Sequence, residues 1–359
     1  MDITSRSPGR ICLFGEHQDY MSLAVISAAI DLRITIEGTI GVGKNISVNL
    51  PDIGKRVQFN TDSIIYEGRK DYIRSAVKVL RERGLIDDIK VDAEIRGNIP
   101  REAGTSSSSA LSVAWVGFLL GSKFSGEEID GMRKEIAELA YITEVEEFEE
   151  SGGMQDQLAS ASGGVSYFTF FDDTGVEKLD PGLGSFVLGD SGEPKDTQKT
   201  LKRIRDRQEA GLNELLSYYK FNRNSEIEYK KASAYFGRIS NSVRPYLEGV
   251  VENFDITKKA LIEMRKDTID HSKIAGLMNR HHAILRDKLN ISTKKIEKMI
   301  DGALRSGALS AKINGSGEGG CMFAYCPGRE DQVSEAILRA GGTPHVIRIG
   351  RGLEVDISE

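Results

Sequence analysis

The sequence predicts an α+β protein whose strands and helices come in blocks rather than in strict βαβ alternation. Three observations carry this. From residue 11 to about 95, apolar residues alternate or run together between turn residues, the pattern of strands; from 197 to about 300 they recur at spacings of three and four, the pattern of helices; and the last fifty residues return to short apolar strands around a single helix.

Taken in order, residues 24–26, 32–36 and 46–50 read as strands, 71–83 as a helix, and 90–95 as a strand half buried by its alternation. Residues 106–120 and 127–147 have helical spacing. Strand candidates follow at 164–171 and 185–189, then the long helical block, then strands at 311–313 and 321–325, a helix at 330–339 and a strand at 345–349. The segment Gly38-Thr39-Ile40-Gly41-Val42-Gly43-Lys44-Asn45 imitates a nucleotide-binding P-loop. It ends in Asn where a metal-binding Ser or Thr belongs, and strands flank it on both sides, so it reads as a hairpin loop.

Composition narrows the functional classes. Glycine supplies 38 of 359 residues, against a usual share of about 7%, while proline stays scarce, so collagen-like and low-complexity readings fail. A net charge of −6 gives no field to attract nucleic acid or an anionic membrane. The basic run Lys202 to Arg207 reads as a solvated helix face. Cys12, Cys321 and Cys326 are odd in number and lack zinc-ligand spacing, which points to a reducing, cytoplasmic setting. No apolar stretch reaches the ~18 residues that cross a bilayer, and the N-terminal residues have no leader-like core. A soluble protein without nucleic-acid or membrane partners is expected.

The surplus glycine gathers around candidate phosphate loops. In Pro100-Arg101-Glu102-Ala103-Gly104-Thr105-Ser106-Ser107-Ser108-Ser109-Ala110, a glycine and four serines stand between a strand and a helix. Unpaired N–H groups at a helix N-terminus attract a polyanion, and serine hydroxyls are oxygen ligands of the kind Mg²⁺ requires. One serine as a helix cap is the bland alternative. In the segment from Glu144 to Gln157 an acid-rich helix end precedes Gly152, Gly153 and Asp156. Phosphoryl transfer to an alcohol uses one carboxylate on the metal and another at the hydroxyl; a solvated acidic face is the alternative, preferred for Glu147, Glu149 and Glu150. A third segment, Lys312 to Cys321, places Gly315, Gly317, Gly319 and Gly320 directly before a strand.

In this order, and with Ser7-Pro8-Gly9-Arg10-Ile11-Cys12-Leu13-Phe14-Gly15-Glu16-His17-Gln18-Asp19-Tyr20 ahead of them, the segments resemble the GHMP kinases, closest to the galactokinase-like sugar kinases. The resemblance runs from Ser7 to Gly320. It implies a two-lobed fold, with a ribosomal-protein-S5-like N-terminal lobe over 1–185 and a ferredoxin-like C-terminal lobe over 186–359, and an active site in the cleft between them. It implies ATP and Mg²⁺ as cofactors and a small-molecule alcohol, a sugar first, as acceptor, in a monomer or homodimer. By the same resemblance Asp156 and Arg10 are catalytic, Arg10 pairing with the aspartate and stabilising developing charge. Pro100, Gly104, Thr105, Ser106, Ser107, Ser108, Ser109, Gly315 and Gly317 bind nucleotide. Ser108 and Glu144, with Glu146 second, hold the metal. Glu16, His17, Asp19, Gly153 and Asp156 meet the substrate. Gln155-Asp156-Gln157 and Ala161 to Gly164 look more like heptose and fucose kinases, and Pro194 to Thr197 more like mevalonate kinases. The rivals are therefore a mevalonate or phosphomevalonate kinase, with Lys195 and Arg203 available to a phosphorylated acceptor, and a sugar sensor that keeps the fold without catalysis.

Overall fold

The computed structural model describes residues 1–68, 70–100, 104–171 and 173–358; Arg101, Glu102 and Ala103 of the serine-rich segment lie outside the described residues. The strands are β1 (Asp2–Phe14), β2 (Val25–Val42), β3 (Asn45–Leu50), β4 (Lys55–Asn60), β5 (Ile89–Gly97), β6 (Val165–Thr169), β7 (Gly175–Leu179), β8 (Phe186–Asp190), β9 (Ser310–Ile313), β10 (Cys321–Tyr325), β11 (Thr343–Ile347) and β12 (Glu354–Ser358). The helices are α1 (Tyr72–Glu82), α2 (Ser107–Leu120), α3 (Gly126–Gly131), α4 (Arg133–Tyr141), α5 (Gln155–Ser162), α6 (Thr197–Leu215), α7 (Tyr229–Ala232), α8 (Arg244–Met264), α9 (His271–Asp287), α10 (Lys294–Arg305) and α11 (Glu330–Arg339).

Two sheets result. The larger has the order β12-β1-β2-β5-β3-β4, with β6 and β7 continuing from one end of β2; the smaller has the order β11-β8-β10-β9, every neighbour antiparallel. The long β2 absorbs two stretches that read as separate strands. It is buried on both faces from Val25 to Ile30 and alternates beyond, because its first half pairs with both β1 and β6 between packed layers. Strand β5 alternates as its sequence suggests, with Val91, Ala93 and Ile95 inward.

Two expectations need correction. Residues 38–45 do not form a hairpin loop: β2 and β3 both pair with β5, antiparallel and parallel respectively, so β5 lies between them. Local alternation carries no information about a strand inserted 45 residues later. Nor is 127–147 one helix. It divides into α3 and α4, then passes into a π-helical turn at Ile142–Glu146, a distortion that recurs at functional sites.

Helix α2 is apolar on nearly every side and sits buried against β1, β2 and helices α1, α4 and α5. Its Trp115, stacked on Phe118, donates its indole N–H to the Ile73 carbonyl at 3.1 Å. Each such side chain stabilises the fold by about 2 kcal/mol through burial. The helix is therefore fixed along its length, and its N-terminus emerges rigidly at the cavity described below. Across the molecule, Ile11, Leu13 and Phe14 of β1 share a core with Phe186, Leu188 and Phe323 of the smaller sheet. Strand β1 thus joins both sheets just where the Arg10 to Tyr20 segment begins. Cys12, Cys321 and Cys326 are all free and buried.

Candidate active site

Arg10 extends from β1 beside a register shift between Pro8 and Arg10. Gly9 makes this possible, since a Cβ there would lie 2.8 Å from the Thr105 carbonyl oxygen. The Arg10 backbone N–H donates to that same oxygen at 3.1 Å, stitching β1 to the serine-rich loop. The guanidinium grips Asp156 as a fork, Nε to Oδ1 at 2.7 Å and Nη2 to Oδ2 at 2.8 Å, and Nη1 donates to the Gly104 carbonyl at 2.6 Å. Burial disfavours the Arg10 charge, but Asp156 more than offsets this and holds its pKa above the ordinary value. Asp156 occupies the first turn of α5 and also accepts a hydrogen bond from Ser106 Oγ at 2.6 Å. Residues 10, 106 and 156, far apart in sequence, form one cluster.

The cluster lines a cavity of 1370 Å³ that also includes Ser107, Ser108 and Ser109 at the start of α2. The unpaired N–H groups of that first helical turn give it partial positive charge. One wing of the cavity includes Leu50, Ile53, Val57, Tyr72, Ile73 and Leu111, apolar side chains of the kind that pack on a flat ring, alongside the charged Asp52, Lys55, Arg56 and Arg74. Glu144 reaches the cavity from the π-helical turn, and Gln157 Nε2 donates to it at 2.7 Å. Burial, eased by hydrogen bonds from Ser108, Gln157 and Ser109, pushes its carboxyl up to about 7. Among the described residues no Lys, Arg or His pairs with it. A buried carboxylate beside the Ser108 hydroxyl, without a countercharge, is a donor set that fits Mg²⁺, which takes one or two carboxylates and completes its shell with phosphate and water. Glu146, the second candidate, is exposed and does not line the cavity.

At the other wing lie the residues of the Glu16 to Tyr20 segment. Asp19 is buried, accepts from the Gln155 N–H at 3.3 Å, and is pushed up to about 6 by burial first and by the Asp156 charge second. Gly153 is required here, because a Cβ on it would fall 2.1 Å from Asp19 Oδ2. Glu16 and His17 line the same cavity, but their polar atoms turn to the protein rather than to a ligand. Glu16 Oε1 accepts from Lys312 Nζ at 2.5 Å, with both residues almost wholly buried. His17 Nε2 donates to the Ser316 carbonyl at 3.1 Å, and Nδ1 accepts from the Tyr20 hydroxyl at 2.7 Å. Burial lowers the His17 pKa to about 4, so the ring is neutral at physiological pH. Both were expected to meet a sugar; in the structure each spends a polar atom on the segment from Lys312 to Ser316.

The glycine-rich segment reaches the site through its first half only. Gly104 and Gly315, with φ of 85° and 75°, touch backbone to backbone, and a Cβ on either would stand 2.8 Å from the other loop's peptide oxygen. Asn314 Nδ2 donates to the Gly104 carbonyl at 2.8 Å while its Oδ1 accepts from the Cys12 N–H at 2.9 Å. Gly317 does not line the cavity as expected; its φ of 80° and a Cβ contact of 2.6 Å with Ile291 show that the glycine there serves packing. Thr105 likewise supports the loop, donating from Oγ1 to the Pro100 carbonyl at 3.3 Å. Single-sequence reading passed over Asn314, Lys312, Gln157 and Ser316 as individual actors. Lysine within an apolar strand, as Lys312 is in β9, was the one available signal that a buried carboxylate awaited it. Lys195 Nζ donates to Ser316 Oγ at 3.2 Å and lines the cavity, whereas Arg203 pairs with Glu318 at 2.8 Å.

Comparison with known proteins agrees with this architecture. Residues 71–164 match the GHMP kinases N terminal domain, 258–343 the GHMP kinases C terminal domain, and 2–39 the galactokinase galactose-binding signature. The chain is 30% identical to a mevalonate kinase of Pyrococcus furiosus, covering 99% of each protein. It is 26% identical to a galactokinase of Clostridium perfringens, covering 93% of this chain and 88% of that one. The solved structure of Lactococcus lactis galactokinase complexed with galactose superposes with a TM-score of 0.83 at 22% identity, covering 98% of this chain and 94% of that one. Methanococcus jannaschii mevalonate kinase superposes with a TM-score of 0.71 at 21% identity, covering 97% and 98%. Among the described residues no helix is long and apolar enough to cross a membrane.

Proposed function

The chain belongs to the GHMP kinases, ATP-dependent enzymes, and from that premise we propose that it transfers the γ-phosphoryl group of ATP to a hydroxyl of a small alcohol, a monosaccharide in the first instance. The observation that carries the reading is the Arg10–Asp156–Ser106 cluster set at the N-terminus of α2 inside the cavity. The first-turn N–H groups of α2, with Gly104 and Gly315 close by, receive the phosphates, and the apolar wing receives the base. Ser108 and Glu144 would hold Mg²⁺, which when bound neutralises phosphate charge. Asp156 accepts the proton of the acceptor hydroxyl as its oxygen attacks the γ-phosphorus, and Arg10 offsets the negative charge that gathers there. Asp19, 7% exposed beside Asp156, orients a neighbouring hydroxyl.

The sugar reading rests on the galactose-binding signature and on Asp19 facing the same cavity as Asp156. Mevalonate is the second reading, favoured by full-length similarity to mevalonate kinases. We further propose lobes over 1–185 and 186–359, with β12 returning to the first. Measuring ADP release with galactose, other hexoses, heptoses, mevalonate and mevalonate phosphates separates the two. D156A is expected to abolish turnover while leaving ATP binding largely intact; retained turnover would overturn the assignment of Asp156, and a screen in which no alcohol stimulates ADP release would favour a non-catalytic sensor.

A further inference from the structure

Ser106 stands at the N-cap of α2, where serine ordinarily takes an extended backbone and accepts a hydrogen bond from the helix's own N–H groups. Here it does neither. Its φ and ψ are 60° and 41°, the left-handed region that is costly for a residue with a Cβ, and its side chain caps nothing. The hydroxyl instead points away from the helix and donates to Asp156 Oδ2 at 2.6 Å. A backbone outlier that forgoes its local bond for one to a reactive group calls for a functional reason.

Asp156 supplies it. A carboxylate offers about four acceptor positions. Three are taken: Oδ1 by Arg10 Nε, and Oδ2 by both Arg10 Nη2 and Ser106 Oγ. Resting on the proposed role of Asp156, we infer that Ser106 is a positioning residue that saturates Oδ2, so that the acceptor's proton passes to Oδ1. In that step the substrate O–H bond breaks as the proton moves to Asp156 Oδ1, the oxygen forms a bond to the γ-phosphorus, and the bond from that phosphorus to the β-γ bridging oxygen breaks to release ADP. Ser106 keeps its own proton throughout. It acts by leaving the carboxylate one open position, facing the hydroxyl.

Two substitutions separate the hydroxyl from the backbone. Ser106→Gly removes the hydroxyl and relieves the left-handed strain; Ser106→Ala removes the hydroxyl and keeps it. Both are expected to lower kcat by about 10- to 100-fold, the value of a hydrogen bond to a charged group, with KM for ATP within about twofold of wild type. S106G should unfold no earlier than wild type, and combined with D156A it should add nothing to the loss from D156A alone. Wild-type kcat in S106G with a loss only in S106A would show that backbone conformation matters and overturn the inference. So would an unchanged kcat with a raised KM for ATP, the mark of a mere phosphate ligand. Turnover is measured with the best acceptor from the screen, or as slow transfer to water if no alcohol serves. Should D156A remain active, the role of Asp156 falls and this inference with it; should D156A be inactive while S106G is normal, the inference alone falls.

Discussion

Replacing Asp19 by Asn should make the protein more stable at neutral pH and less able to use its acceptor. Burial, reinforced by the Asp156 charge, raises the Asp19 carboxyl from its ordinary 3.8 to about 6. Between those values the folded protein holds a proton that the unfolded chain has released. The contribution of this group to stability is therefore greatest at low pH and declines as pH rises from about 4 to about 6. The difference amounts to about 3 kcal/mol at pH 7.5 and less than about 1 kcal/mol at pH 4. Asn carries no charge to desolvate. It gives up one acceptor where Asp19 serves the Gln155 and Tyr20 N–H groups, a loss of about 1 kcal/mol. D19N should then be about 2 kcal/mol more stable than wild type in urea unfolding at pH 7.5 and within about 1 kcal/mol of it at pH 4. In turnover assays, KM for the acceptor should rise while KM for ATP holds. A variant no more stable at pH 7.5, or one with the same gain at both pH values, would refute the reasoning.

Gly153→Ala should have a related effect by steric means, since its Cβ would lie 2.1 Å from Asp19 Oδ2 and the carboxylate must leave its place. Acceptor KM should rise by about tenfold or more, the value of a misplaced hydrogen bond to a charged group, with ATP affinity unchanged; an unaltered acceptor KM would count against Asp19 as its partner. Lys312→Met should cost about 3–5 kcal/mol in urea unfolding, because it strands the Glu16 carboxylate in a site with almost no water. Adding Glu16→Gln should restore much of that loss, and a double variant as unstable as the single one would show that the charge was not the cause.

The grouping of the candidate site residues was more legible in the chain than the path of the strands around them. Serine clusters, glycine pairs and the Arg10 to Tyr20 segment are local patterns, and residues 10, 106, 144 and 156 do converge on one cavity. What stayed hidden depends on distant partners. Strands β4, β7 and β12 carry too few inward apolar residues to stand out, because each lies towards the margin of the larger sheet and is partly solvated. The engagement of Glu16 could not be read from its neighbours, since Lys312 arrives from a strand nearly 300 residues away. Glycine's roles also divide by context: Gly104 and Gly315 allow two loops to meet at the cavity, while Gly317 accommodates Ile291.

Strand β12 has a consequence for how the molecule comes into being. Its Ser358 to Glu354 lie in register with Asp2 to Arg6 of β1, the very strand that leads into Arg10. On the ribosome, that edge of β1 must wait, with its hydrogen-bonding groups unmatched, while more than three hundred further residues are synthesised. The other strands of the larger sheet all lie before residue 180, so the addition of β12 is a late, long-range event, slow by its topology, and the β1 edge is open meanwhile to mispairing with other chains. The end of β1 and the segment that follows it wait in the same way, since Lys312 and Asn314, which hold Glu16 and the Cys12 N–H, are also made about 300 residues later.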